Sequence, residues 1–405
     1  MKYQAYEFGS DLSRMMRDVG GALSATFEPW VADGRRNPAA IFPWALGEMM
    51  GRSGFTHTRP DYGIDSVLVG NRIAPVVEET THVLPFATLT HFRKDVDARQ
   101  PRVLVVAPLS GHFATLLRHT IRTLLADHDV YVTDWTNARD VPLSEGPFGF
   151  DDYVDHVVAF LEAMGPGTHV VAVCQPAVQA LAAAALMAET KNAATPASMT
   201  LMAGPVDTSV NPTKVNALAT SKPIAWFEDN LIATVPDRHA GAGRRVYPGF
   251  VQLSAFLSMN AGRHVSSHSE LFWNIVCDET DKAEQIRVFY DEYFAILDLA
   301  AEFYLETVKT VFQDNDLARN ELKYRGRPLD MRAIRRTALM TVEGERDDIC
   351  AVGQTMAAQD LCSGLKPYMK RHHLQAGVGH YGVFSGRKWE TQVYPLVRNF
   401  ILAND

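Results

Sequence analysis

Between residues 103 and 204 the chain alternates short apolar runs with longer stretches of helical periodicity, a pattern that few folds satisfy. Val103 to Val106 are wholly apolar, as a strand buried on both faces of a parallel sheet must be. Leu116, Leu117, Thr120, Ile121, Leu124 and Leu125 then fall on one helical face. A second strand is predicted over Val130 to Thr133, ending at Asp134, and a helix from Phe150 to about Met164. HVVAV runs directly into Cys174, an Ala-rich helix follows, and the strand MTLMAG ends near Gly204. Repeated strand–helix units pack as a mostly parallel sheet with helices on both faces. Ligands in such sheets bind at the carboxyl ends of the strands, so the loops after Ala107, Val173 and Val342 should converge.

The flanks are less regular. Leu12, Met15, Met16, Val19 and Leu23 recur at helical spacing, and residues 1–60 read as a helical arm packed on the main domain. IDSVLVG reads as one strand and VVEETTHVLPFATLTHF as a second. After about Asp207 no convincing strand appears until TALMTV at Thr337 to Val342. Phe289, Tyr293, Leu297, Ala300, Tyr304 and Val308 follow helical spacing across this interval. The expected organisation is a sheet core over 61–208 and 337–405, with a helical cap inserted at 209–336. A chain of 405 residues exceeds what one core usually holds, which fits such an insertion.

Composition narrows the partners. The net charge of −8 gives no electrostatic footprint for nucleic acid or an anionic membrane. Charges interrupt the N-terminal residues before an apolar run of signal-peptide length forms, and no segment is apolar enough to span a bilayer. A cytoplasmic location is expected. Cys174, Cys277, Cys350 and Cys362 contain no C-x-x-C pair and do not resemble a disulfide scaffold, so reduced thiols fit best. No metal-ligand cluster or phosphate-binding loop is evident, and no metal or cofactor is expected.

The strongest chemical signal is HVVAVCQPAVQALAAAAL. An apolar strand meets a cysteine and a helix begins at once, the layout of a nucleophile elbow. Ala172 supplies the small residue two before the cysteine, while Pro176 stands where glycine is usual. Proline is tolerated there because the first helical turn leaves its missing N–H without a partner anyway. A cysteine after a strand is by itself more often a core thiol, so the assignment rests on its partners. Nucleophile, acid and histidine follow in that chain order in α/β-hydrolases. TALMTVEGERDDICAV offers Asp347, with Asp348 as a neighbour that the sequence leaves open. AGVGHYG then places His380 in a Gly-rich loop near the last helix, whereas His372 and His373 sit within a predicted strand. The same string matches G-x-G-x-x-G, but too few residues follow for a dinucleotide-binding unit. Oxyanion donors should be the backbone N–H of Gln175 and one from Leu109 or Ser110.

The stretches PLSGHFATLLR, DWTNARDVP, VAVCQPAVQAL, MAGPVDTSVNPTKVN, VEGERDDIC and AGVGHYGVFSGRKW resemble the bacterial intracellular polyhydroxybutyrate (polyhydroxyalkanoate) depolymerases over nearly the whole chain. The resemblance implies an α/β-hydrolase fold and a Cys–Asp–His triad on Cys174, Asp347 and His380. It also implies a thioester intermediate, a stored poly(3-hydroxybutyrate) substrate and association with cytoplasmic granules. It is compatible with a homodimer. Cap aromatics Trp226, Tyr247, Phe250, Phe256, Phe272 and Trp273 are candidates for contact with the polymer, although packing explains any single one of them more readily. The rival readings are a polyhydroxyalkanoate synthase-type acyltransferase, thiolysis of the polymer by CoA, a small-ester hydrolase and a non-catalytic granule-coat protein. Synthases of this kind usually carry glycine on both sides of the cysteine, where Ala172 and Pro176 stand here.

Overall fold

The computed structural model describes residues 2–31, 37–96, 99–259 and 261–405. Residues 32–36 of the N-terminal arm lie outside it. The strands in chain order are β1 (Ser66–Val69), β2 (Arg72–Leu84), β3 (Ala87–Lys94), β4 (Arg102–Val106), β5 (Asp129–Trp135), β6 (His169–Val173) and β7 (Ser198–Met202). Short strands follow: β8 (Ala233–Thr234), β9 (Arg245–Tyr247), β10 (Leu299–Ala300), β11 (Lys323–Tyr324) and β12 (Arg327–Pro328). Then come β13 (Ala338–Gly344) and β14 (Lys370–Gln375). The main sheet has the order β1-β2-β3-β5-β4-β6-β7-β13-β14, antiparallel through β1, β2, β3 and β5 and parallel from β5 onward.

The apolar runs are the central strands. β4, β6, β7 and β13 are buried almost end to end, because helices cover both faces. Helix α3 (Arg118–Leu124) packs against the C-terminal helix Tyr394–Leu402, and α4 (Phe150–Met164) against α5 (Ala177–Glu189). The expected sheet with helices on both faces is therefore present. One detail differs: VVEETTHVLPFATLTHF is a hairpin, not one strand. The chain reverses at Pro85 and Phe86, where the Phe86 carbonyl accepts from Thr136 N (2.8 Å) and its ring stacks on Phe148. Proline cannot donate to a ladder, which makes it a natural breaking point.

The N-terminal arm is a helical pair, α1 (Lys2–Phe27) and α2 (Pro38–Gly51). Its packed face is the small-residue one, against the expectation from the apolar periodicity. A Cβ on Gly20 would lie 2.5 Å from Gly51 N, and one on Gly47 2.5 Å from Ser24 N. Close backbone approach selects that face, and Leu12, Met15, Met16 and Val19 are left exposed.

Between β7 and β13 the chain is mainly helical: α6 (Lys214–Thr220), α7 (Ile224–Leu231), α8 (Gly249–Met259), α9 (Ala261–Cys277), α10 (Thr280–Tyr293) and α11 (Ala301–Thr307). Strands do occur here, since β8, β9 and β10 form a small sheet and β11 and β12 a hairpin. The helical spacing from Phe289 to Val308 is interrupted, because α10 ends at Tyr293 and β10 pairs with β9 before α11 begins. Asp298 is the cause. Its carboxylate is fully buried and accepts from the Tyr3 hydroxyl and from Gly249 N (2.8 Å), while its own N–H donates to Asn137 Oδ1 (3.0 Å). A helix would forfeit those partners.

Burial pushes the Asp298 carboxyl up from the usual carboxylate range, so its donors matter for stability. Tyr3→Phe removes one donor and leaves a buried oxygen short of a partner. We expect a cost of about 1–3 kcal/mol, read as a lower midpoint in thermal unfolding.

Candidate active site

Strand β6 ends at Val173, and Cys174 takes φ +68°, a left-handed backbone that side chains other than glycine rarely adopt. Two bonds hold the turn: Cys174 N donates to Met202 O at the end of β7 (2.7 Å), and Ala177 N donates to Cys174 O (3.2 Å). Pro176 is the residue before α5, so its missing N–H costs nothing. The close passage of Gly204 keeps the turn tight: a Cβ there would meet the Ala177 side chain and come 3.0 Å from Cys174 O.

The left-handed turn makes a direct test. Cys174→Gly removes the Cβ penalty of roughly 1–2 kcal/mol, while Cys174→Ala keeps it. The greater freedom of unfolded glycine offsets only about 0.5–1 kcal/mol. The glycine variant should therefore melt at or above the alanine variant, by calorimetry under identical conditions.

The loop after β13 carries Asp347, and the loop after β14 carries His380. His380 Nδ1 lies 2.8 Å from Asp347 Oδ2, with both side chains buried. The other carboxylate oxygen accepts from Ile349 N and Cys350 N, each at 2.9 Å, which fixes the carboxylate plane. Asp348 is exposed and makes no bond to His380, so geometry separates the two aspartates that the sequence could not. Burial works against the charged form of His380. The Cys174 and Asp347 side chains, acting as charges and as hydrogen-bond partners, outweigh it and hold the imidazolium well above the usual histidine range.

The acid loop is braced from below. Glu343, buried at the end of β13, accepts from Gly353 N, Thr355 N and Met356 N at 2.8 to 3.0 Å. Thr355 Oγ1 in turn joins both the N–H and the carbonyl of Gly204 (2.9 and 3.0 Å). The loop bearing Asp347 and the turn bearing Cys174 thus share one frame.

Cys174 lines a largely apolar inner cavity of about 200 Å³ together with Leu109, Ser110 and Gln175. The loop of Leu109 and Ser110 is anchored at Ala107, whose N–H donates to Thr133 Oγ1 (2.9 Å) and whose carbonyl accepts from Trp135 Nε1 (2.8 Å) and Tyr153 Oη (3.0 Å). The loops after β4, β6 and β13 do converge, as strand polarity requires. Tyr247 and Phe256 line the inner cavity, but Trp226, Phe250, Phe272 and Trp273 do not. Phe250 stacks on Tyr6 (3.8 Å), Phe272 and Trp273 pack against Phe42, and Phe227 takes the cavity position next to Trp226. Phe303 and Tyr304 also contribute, both missed by the sequence reading. His380 lines a second, outer cavity of about 640 Å³, which shares Val215, Phe256 and Ile349 with the inner one.

The other cysteines do not compete. Cys350 touches the inner cavity, but burial first, and then Asp347, push its thiol well up, and Cys362 is pushed up to about 12 by burial. Cys277 is exposed, and none of the four is in a disulfide. Among the described residues no group of three or more His, Cys, Asp or Glu side chains is placed to hold a metal ion, and no helix is long and apolar enough to cross a membrane.

The sheet order, the left-handed residue at the β6–α5 turn and the histidine–carboxylate pair in the last two loops define the α/β-hydrolase fold. Distant structural similarity was found to the alpha/beta hydrolase GrgF from Penicillium sp. sh18 (14% identity, TM-score 0.44, 82% of this chain and 98% of that one). It was also found to a monoacylglycerol lipase from Paleococcus ferrophilus (11%, 0.45, 75% and 95%) and a thermophilic esterase from Thermogutta terrifontis (12%, 0.41, 80% and 98%). No curated protein matches the sequence. The chain belongs to the family described as PHB de-polymerase C-terminus, whose model matches residues 203–405, half of the chain. That match includes Asp347 and His380 and leaves Cys174 outside it.

Proposed function

We propose that this protein is an ester hydrolase that cuts stored poly(3-hydroxybutyrate) through Cys174, His380 and Asp347. The observation that carries the reading is the 2.8 Å bond between buried His380 and Asp347, with the Cys174 side chain among the groups that raise the same imidazole. The family supplies the polymer, and the apolar inner cavity suits its aliphatic ester units.

The chemistry follows from the geometry. His380 Nε2 takes the Cys174 thiol proton while Asp347 holds Nδ1–H and fixes the tautomer. Sγ attacks the ester carbonyl, and the oxyanion develops toward the N–H groups of Gln175 and of Leu109 or Ser110. No backbone bond among the described residues uses these N–H groups. The C–O bond breaks, the leaving oxygen takes the proton from His380, and a thioester remains on Cys174. Water, deprotonated by His380, then releases the acid and restores the thiol. The setting is the surface of intracellular polymer granules.

The test is incubation of purified protein with amorphous poly(3-hydroxybutyrate) granules, following soluble 3-hydroxybutyrate and its oligomers. Release that requires Cys174 supports the reading. Polymer growth from 3-hydroxybutyryl-CoA with free CoA release would replace it with a synthase. Granule binding without release would leave a coat protein.

A further inference from the structure

Cys174 and His380 open into different chambers. The nucleophile lines the small apolar cavity, and the base lines the larger outer one. Three cations line that outer chamber: Lys214 at the start of α6, Arg263 on α9 and Arg346 in the acid loop. None of the three is ion-paired with a described residue, whereas Arg52, Arg93, Arg245, Arg319, Arg327 and Arg332, also exposed, each have a carboxylate within reach. Asp348 is the single carboxylate among the described residues that line it. Cations drawn from three separate segments to one chamber, with only one opposing charge, make a site for an anion.

The hydrolase reading says which anion. When the ester C–O bond breaks, the half that stays on Cys174 is the acyl half, which carries the hydroxyl end of the polyester. The half that leaves as an alcohol must stand beside His380 to receive its proton, and it carries the carboxyl end. Resting on that reading, we infer that the outer chamber binds the free carboxylate of the leaving segment through Lys214, Arg263 and Arg346. The enzyme therefore engages the polymer by its acid end and releases short hydroxy acids from it. Val215, Phe256 and Ile349 line both chambers, so the cationic chamber adjoins the apolar one that holds the acyl half.

The test compares a linear 3-hydroxybutyrate trimer as its free acid and as its methyl ester, which differ only in the terminal charge. The wild-type protein should show higher kcat/KM on the free acid. The ratio of acid to ester should fall by about tenfold in the triple variant Lys214→Ala, Arg263→Ala, Arg346→Ala. Added NaCl should lower the same ratio in the wild-type protein, which keeps the test valid should the triple variant fold poorly. With an isotopic label in the carboxyl-terminal unit, the label should appear first in the monomer.

A wild-type ratio at or below unity, a ratio insensitive to both salt and substitution, or label retained in the larger product would each overturn the inference. So would variants that alter only a turnover dependent on added CoA, since the chamber would then serve the phosphates of an acyl acceptor. Failure of the hydrolase reading looks different: neither trimer is cut.

Discussion

Cys174→Ala is expected to lower the rate of 3-hydroxybutyrate release from amorphous granules on the order of 10⁶-fold in kcat. Alanine keeps the backbone and the small bulk of the turn, so folding should survive. Binding to granules should also survive, because the apolar surfaces are untouched. The loss is that large because no other group can replace the nucleophile. Cys350 touches the same cavity, but its thiol is kept protonated by burial and by Asp347. What remains is the water reaction assisted by the N–H groups of Gln175 and its neighbours. Soluble product is measured by chromatography, with circular dichroism to confirm the fold. Retained hydrolysis would remove Cys174 from the mechanism.

Asp347→Asn is expected to cost about 10⁴-fold in kcat, because an amide can favour the wrong imidazole tautomer and cannot stabilise the imidazolium. Asp348 offers no rescue, being exposed and out of contact with His380. The same substitution should change stability in a pH-dependent way. In the folded protein His380 is raised above its usual value of 6.5, against its own burial, by Cys174 and Asp347. A raised histidine contributes stability that is fully present below the unfolded value and is lost as pH rises through the folded one. The gap in melting temperature between wild-type protein and the asparagine variant should therefore be widest near pH 6 and narrow on the alkaline side. A gap that widens with pH would mean that the pair does not act as an imidazolium and a carboxylate.

The parts of this fold that could be read from sequence are those where one physical demand dominates. β4, β6 and β13 are buried on both faces, so almost every residue had to be apolar. Cys174, Asp347 and His380 stood out because chain order and loop type both constrain them. The misreadings came where tertiary partners override local pattern. The run from Phe289 to Val308 has helical spacing, yet burial of Asp298 against Tyr3 and Gly249 breaks it. The N-terminal helix turns Gly20 inward and Leu12, Met15 and Met16 outward, the reverse of what apolar periodicity anticipates. Aromatic residues in a helical segment do not declare which face they occupy: Tyr247 and Phe256 reached the cavity wall, and Phe272 and Trp273 did not. Lys214, Arg263 and Arg346 are far apart in the chain, and nothing local marks them as neighbours.

The shared frame beneath Cys174 and Asp347 has a consequence for the order in which the protein is made. Residues 169–189 contain the whole strand–turn–helix motif, but the turn is clamped by the end of β7, and that end is clamped in turn by Val342 and Thr355. A growing chain that has emerged only past α5 carries Cys174 as an ordinary thiol with no base beside it. The reactive arrangement comes into being only after β13, β14 and the His380 loop have been synthesised and have closed a long loop onto the existing sheet. On the proposed mechanism, reactivity is thus withheld until folding is nearly finished, and the nascent chain passes through synthesis without an active nucleophile.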